Sequence, residues 1–111
     1  MSEHVHIARK SKSTFNIARF DARAMFIRHS VNTKALTLLA IEMSKKKNFD
    51  MCEKIEVENL LTIASRKRDF WQREMFRRVF DETQNYAIAS NAIAEASLES
   101  SRIVREKVAA T

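Results

Sequence analysis

The chain has 111 residues and contains neither glycine nor proline. Tight β-hairpin turns, glycine-rich phosphate loops and left-handed helix caps normally depend on glycine. Walker-type NTPases, Rossmann dinucleotide sites and sheet-rich barrels are therefore poor candidates, and the length fits a single domain.

The formal net charge of +6 is distributed unevenly along the chain. Residues 1–47 carry a net charge of +7, whereas residues 48–111 carry −1. A positive field attracts anions such as nucleic acid, acidic lipid headgroups or an acidic partner helix. The charge by itself does not choose among these partners.

Cys52 is the single cysteine, so the chain cannot form an internal disulfide. A lone cysteine of this kind indicates a reducing compartment and is more typical of a small buried hydrophobe than of a nucleophile. The first ten residues contain no continuous apolar segment, and no apolar run approaches the ~20 residues of a membrane span. These observations predict a soluble, cytoplasmic protein.

The N-terminal residues 1–13 are short, polar and basic, with no apolar period, and we expect a flexible arm. Ser13 or Thr14 then offers an N-cap hydroxyl. From there the apolar residues recur at steps of three or four as far as Ile41, and Lys45 to Lys47 suit the negative end of a helix dipole. This pattern predicts a first helix over about 14–46, within one helical domain that covers 14–111.

Two further helices are predicted after the first. Asp50, followed by Glu53, has capping-box spacing and predicts a second helix over about 50–65. Asp69 and Gln72 have the same spacing and predict a third helix over about 69–108. Because no residue forces a stop near 66–69, the alternative of one continuous helix stays open.

The third predicted helix spans roughly 58 Å at 1.5 Å per residue, which is too long for a 111-residue monomer to bury its apolar face. Association or docking on an apolar surface is the natural consequence. We therefore expect an all-α fold of three helices, built as a long amphipathic hairpin or open bundle that oligomerises through a coiled-coil-like seam.

The most suggestive local feature is a basic stretch with interleaved aromatic residues between Arg66 and Arg78. In one interpretation its cations bind phosphates while an aromatic ring stacks. In the other it is an amphipathic helix with core aromatics and solvated arginines, and this interpretation is the stronger. The candidate anion or nucleic-acid contacts are Arg66, Lys67, Arg68, Arg73, Arg77 and Arg78.

The apolar residues exceed what one narrow helical seam needs. A broad apolar face flanked by Arg and Lys suits either a helix lying on an interface or a core shared with an oligomer partner. The candidate apolar interface residues are Phe20, Ile27, Val31, Leu38, Phe70, Trp71, Phe76, Phe80 and Leu98.

Neither a catalytic set nor a metal or cofactor site is predicted. His4 and His6 are two residues apart but have no third ligand at a suitable spacing. Glu53, Glu56 and Glu58 lie where they match the positive end of a helix dipole rather than as an acid–base pair. The sequence therefore predicts a protein that is not an enzyme.

Over about residues 30–108 the sequence combines an early helix that breaks at Asn48-Phe49, the aromatic-basic start of a later helix at 70–83, an Ala/Ser-rich run at 87–96 and a charged end at 105–108. In this pattern it resembles the phasins, small helical proteins that coat bacterial polyhydroxyalkanoate granules. The sequence departs from that family in having less alanine, more Arg and Phe, and no proline. The resemblance implies surface coating without catalysis, self-association, and DNA contact through basic segments.

These observations lead to a first hypothesis of a phasin-like interface protein that docks on a hydrophobic granule and forms a homo-oligomer. One alternative is a small basic nucleic-acid-binding or regulatory protein of the phage or plasmid type. The other is a helical protein–protein adaptor.

Overall fold

The computed structural model describes residues 16–110, which form an all-α fold with three helices. After a 3₁₀ turn at Ile17–Arg19, helix α1 is Ala22–Lys45, α2 is Met51–Thr83 and α3 is Tyr86–Ala110. No strand occurs among the described residues, which confirms the all-α prediction. The predicted flexible arm, 1–13, lies outside them.

Helix α1 begins later than the sequence pattern predicts. Its N-cap is Asp21, whose side chain accepts a hydrogen bond from the backbone N–H of Ala24 at 3.1 Å. Asn16 caps the preceding 3₁₀ turn in the same way, and Phe20 is extended between the two. The predicted start near residue 14 is therefore wrong for 16–21, because two capping side chains there bind the backbone N–H groups that open two separate turns.

Helix α2 begins where the sequence predicts and continues far beyond the predicted end. The side chain of Asp50 accepts a hydrogen bond from the backbone N–H of Cys52 at 2.8 Å and is the N-cap. The boundary predicted near 66–69 is wrong, and the open alternative of one continuous helix is correct there. Arg and Lys are good helix formers, and the buried Ala64 and Trp71 on either side hold this segment in the helix.

The second break comes instead after Thr83 and is made without glycine. Gln84 takes the left-handed conformation, with φ of 53°, and its backbone N–H donates to the carbonyl of Phe80 at 2.7 Å. Asn85 then accepts from the backbone N–H of Ile88 at 3.1 Å and begins α3. The predicted helix over 69–108 is thus divided between α2 and α3.

Helices α1 and α2 pack as an antiparallel hairpin along a seam of regular spacing. The most buried residues of α2 before its last turns are Val57, Ala64 and Trp71, seven residues apart. On α1, Phe26 and Thr33 have the same interval. A seven-residue interval is close to two turns of 3.6 residues, so these side chains lie on one side of each helix.

Helix α3 packs across this hairpin through small side chains. Ala89, Ala96 and Ser100 are fully buried and allow the helix axes to approach closely. Ala96 joins Phe26 and Trp71 in the main core cluster, with Ala22 and Met75 as its other buried members. All three helices therefore meet in one core, which we call the three-helix end.

The hairpin continues past the end of α3. Helix α2 has 33 residues and α3 has 25, so α3 is about 12 Å shorter at 1.5 Å per residue. Helix α3 starts beside the last turns of α2, where the rings of Phe76 and Tyr86 have centroids 5.2 Å apart. Residues 39–59, which we call the two-helix end, thus project beyond it.

Candidate functional site

A groove with a volume of about 1060 Å³ is lined by all three helices beside the core. Helix α1 lines it from Arg23 to Leu38, α2 from Leu60 to Lys67, and α3 from Ile103 to Val108. Leu38, Leu60 and Ile63 remain 44–52% exposed there. The groove is a large apolar surface that the described residues leave uncovered.

Helix α1 presents this surface because it carries two apolar faces. The face against α2 contains Ala22 and Phe26 but continues through the buried hydroxyl residues Ser30 and Thr33. Thr33 satisfies its hydroxyl by donating to the carbonyl of His29 at 2.7 Å. The more continuous apolar face, which the sequence pattern detects, lies on the groove side.

The rim of the groove is cationic. Its charged and titratable lining residues are Arg23, Arg28, His29, Lys67 and Lys107, and no carboxylate is among the lining residues. The described residues place no carboxylate within ion-pair distance of Arg28, Lys67 or Lys107. The positive charges of these three side chains are therefore available to an anion.

The pKa of His29 is affected by the positive charge of this rim. Burial lowers the pKa of its imidazole below the usual value, and the positive charges of Lys67 and Arg28 lower it further. The lowered pKa favours the neutral form of the ring. The cations of α1 and α2 thus act on the same site, although 38 residues separate His29 from Lys67 in the sequence.

A smaller cavity of about 480 Å³ adjoins the groove and shares Arg28, His29 and Lys67 with it. Its remaining lining residues include Arg66 and Phe70. A basic patch with an aromatic residue at its edge therefore extends from the groove across α1 and α2.

The six predicted anion contacts divide into two groups. Arg66, Lys67 and Arg73 are exposed, and no carboxylate of the described residues lies within ion-pair distance of them. The other three have internal partners. Arg68 pairs with Asp69, Arg77 pairs with Glu74 and Asp81, and Arg78 pairs with Glu74.

Arg78 has a structural role besides that pair. Its guanidinium donates to the carbonyls of Ile17 and Phe20 at 2.5 and 2.6 Å, and so binds the 3₁₀ turn to α2. Hydrogen bonds from Arg77 and Arg78 lower the pKa of the Glu74 carboxyl below its usual value. Arg77 and Arg78 are thus engaged within the chain and are poor candidates for phosphate contacts.

The predicted apolar interface residues also divide between core and surface. Trp71 is only 4% exposed and belongs to the core, so its assignment to an interface is corrected. Phe20 and Phe70 lie against it, with ring centroids 6.0 and 5.2 Å from the indole. Phe76 and Phe80 stack on each other and are half-buried.

The remaining apolar candidates are Ile27, Val31, Leu38 and Leu98. The first three line the groove, with Ile27 and Val31 half-buried and Leu38 exposed. Leu98 is 70% exposed on α3 and is absent from the groove lining. The structure therefore brings three of the predicted apolar residues into one surface, together with the predicted anion contact Lys67.

The sequence pattern missed part of this site. The prediction did not include the apolar residues Leu60 and Ile63 of α2 or the rim cations Arg23, Arg28 and Lys107. The spacing of positions 60, 63 and 67 shows that they lie on one face of a helix. It does not show which other helix lies beside that face. Cys52, expected to be buried, is exposed in the first turn of α2.

Within residues 16–110, no helix combines the length and apolar content that a bilayer span requires. The same residues contain no group of three or more His, Cys, Asp or Glu side chains suited to holding a metal ion. Comparisons with protein-family models, curated proteins and solved structures found no match to this chain.

Proposed function

We propose that the protein is a cytoplasmic, non-enzymatic interface protein, phasin-like in action, which coats a hydrophobic granule through its amphipathic helices and self-associates. The observation that carries the proposal is the uncovered apolar groove with its cationic rim. Its exposed centre is formed by Leu38, Leu60 and Ile63.

The physical basis is the burial of apolar side chains that remain in water in the monomer. A fully buried Leu or Ile contributes about 1.5–3 kcal/mol relative to an exposed one. Leu60 and Ile63 are each about half exposed, so covering them supplies a substantial part of that amount. The rim cations in turn suit the negative charges that carboxyl end groups or acidic lipids place at the surface of a hydrophobic particle.

Flotation with hydrophobic polyester particles tests this proposal. We expect the double substitution Leu60→Asn with Ile63→Asn to weaken particle binding at least tenfold, because both changes remove apolar surface from the groove. The matched control is Met51→Asn with Ile55→Asn. These two residues are 57% and 49% exposed on the other flank of α2, and their substitution leaves binding within about twofold.

Failure of the unmodified protein to float with the particles overturns the proposal. Equal loss of binding in both double variants also overturns it, because the binding surface then lies outside the groove.

Nucleic-acid binding is a second candidate function, favoured by the basic patch of Arg28, Arg66 and Lys67. Phosphate contacts make affinity depend on salt, with a slope of about −0.9 per phosphate neutralised on duplex DNA. Titration of duplex DNA at two salt concentrations tests it. Arg66→Ala with Lys67→Ala reduces the slope by about two if both contact phosphates. A flat salt response, or no binding at low salt, eliminates this candidate.

A further inference from the structure

One flank of α2 carries a charge pattern of which the proposed function uses only the apolar and basic parts. Positions 53, 56, 60, 63 and 67 follow one another at steps of three or four and lie on one face of the helix. In chain order the residues are Glu53, Glu56, Leu60, Ile63 and Lys67, all of them exposed. The flank therefore passes from acidic, through apolar, to basic.

The flank is complementary to a second copy of itself that runs in the opposite direction, because acidic residues then face basic ones and apolar residues face each other. When a second α2 lies antiparallel about a point between Leu61 and Thr62, Leu60 of one copy faces Ile63 of the other. In the same alignment, Glu56 of each copy faces Lys67 of the other. A dimer with a two-fold axis requires such a self-complementary surface. If Glu56 of one copy contacts Lys67 of the other, then Lys67 of the first copy also contacts Glu56 of the second.

The surrounding groove strengthens the match. Arg28 of α1 and Lys107 of α3 line the groove together with Lys67, and the described residues provide none of the three with an ion-pair partner. Glu53 and Glu56 likewise have no ion-pair partner among the described residues. The groove therefore carries unpaired cations at one end of the flank, and the two-helix end carries unpaired anions at the other.

We infer that the groove receives a second copy of this chain, whose acidic flank in the two-helix end lies along the cationic rim. The two copies form an antiparallel dimer with Leu60 and Ile63 at the centre and Glu56 opposite Lys67. Glu53 then faces position 70 of the other copy, where Arg28 lines the same cavity as Phe70. This inference concerns the same groove as the proposed function and names the surface through which the protein self-associates. Binding to a particle then exchanges one apolar covering of the groove for another.

A pair of charge-reversed variants of the full chain tests the dimer. The rim variant carries Arg28→Glu and Lys67→Glu, and the flank variant carries Glu53→Lys and Glu56→Lys. All four positions are exposed, and a helical circular-dichroism spectrum checks that each variant is folded. Sedimentation velocity across a concentration series then measures the monomer–dimer equilibrium.

We expect a dimeric unmodified protein, and a dimer dissociation constant at least tenfold higher for each variant alone. Each variant alone places like charges opposite one another at both ends of the interface. In a mixture, the acidic rim of one variant meets the basic flank of the other, and both contacts are again attractive. The equimolar mixture therefore restores a one-to-one heterodimer.

The matched control is Glu58→Lys with Glu82→Lys, which changes the net charge by the same amount as the flank variant. Glu58 lies on the opposite flank of α2 and Glu82 in its last turn, both exposed. This variant keeps the dissociation constant within about threefold of the unmodified value, since surface charges distant from an interface are largely screened at physiological salt. A comparable loss in the control overturns the inference, because net charge then explains the effect.

Three other outcomes also overturn it: a monomeric unmodified protein, an oligomer larger than a dimer, or a mixture that does not associate. Should a rim or flank variant unfold, the single substitutions Lys67→Glu and Glu56→Lys are mixed in the same way. If the unmodified protein is monomeric but still floats with hydrophobic particles, the groove binds the particle and does not bind a second copy. Flotation and sedimentation are separate measurements, so the proposed function and the dimer can fail independently.

Discussion

The two ends of the molecule bury their side chains to very different degrees. At the three-helix end, Phe26 is 1% exposed and Ala96 is fully buried. At the two-helix end, the only buried side chains of the described residues are Met43 and Val57, and both lie near the limit of burial, at 8% and 9% exposed.

The difference follows from the number of helices that meet. Two helices bury only the seam between them, whereas a third covers the flanks of both. Beyond α3, the flanks of α1 and α2 still carry large apolar residues, and these stay exposed: Leu39, Ile41, Met51 and Ile55. We conclude that the three-helix end supplies the stability of the fold, while the groove and the acidic flank of the two-helix end supply surface for association.

The largest expected effect comes from a core substitution at the three-helix end. Phe26→Ala leaves a cavity between all three helices and lowers the free energy of unfolding by about 3–5 kcal/mol. Leu39→Ala, at a site that is 47% exposed in the two-helix end, lowers it by less than about 1 kcal/mol. Urea unfolding at one fixed protein concentration measures both changes.

Equal losses from these two substitutions contradict the division of the molecule into a stabilising end and a surface end. The fixed concentration matters because association with a second copy raises the apparent stability.

A smaller effect is expected where the 3₁₀ turn attaches to the three-helix end. Arg78→Ala removes the donors to the carbonyls of Ile17 and Phe20, and we expect a loss of about 1–3 kcal/mol in the free energy of unfolding. Hydrogen exchange of the amides in 17–21 should accelerate at the same time. Arg77→Ala, which removes ion pairs within α2 and keeps the two hydrogen bonds from Arg78 to the turn, serves as the control and leaves exchange in 17–21 unchanged.

Unchanged exchange in Arg78→Ala shows that these two hydrogen bonds do not hold the turn. In that case the turn does not contribute to the stability of the three-helix end.

The smallest effect is expected at the break between α2 and α3. Gln84→Gly relieves the left-handed conformation and raises the free energy of unfolding by about 0.5–1 kcal/mol. Glu82→Gly, two residues earlier within α2, lowers it by about 0.5–1 kcal/mol because glycine is a poor helix former. Thermal unfolding of the two variants measures both values.

If the two glycine substitutions change the free energy of unfolding in opposite directions, residue 84 is the helix C-cap. A loss in Gln84→Gly shows instead that the side-chain hydrogen bonds from Gln84 to the carbonyls of Phe80 and Asp81 outweigh the relieved backbone conformation.

The helical content and the break at Asp50 were predictable because periodicity and capping are local properties of the sequence. The same capping reasoning failed at Asp69, where the residue type and spacing suit an N-cap but the helix continues. Burial of Ala64 and Trp71 against other helices makes the continuous helix more stable there, and this contribution is tertiary. Gln84 gave no signal, since glutamine is not a usual left-handed residue.

The site was predictable only in part for a related reason. The apolar face of α1 was found, but it proved to line the groove, because the true seam passes through Ser30 and Thr33 and looks polar in the sequence. Trp71 shows the opposite case: it was predicted at an interface, and it lies in the core. An aromatic residue beside arginines has the same sequence pattern whether its ring faces a partner or the core.

The absence of glycine and proline, together with helical periodicity, determined by itself that this chain forms long helices with few breaks. Only the tertiary structure decided which face of each helix is buried and which cations remain unpaired. The physical reason is that a helix with two apolar faces has no local preference between them. Packing of α1 against α2 sets that choice, and the position and length of α3 leave the groove and the two-helix end uncovered.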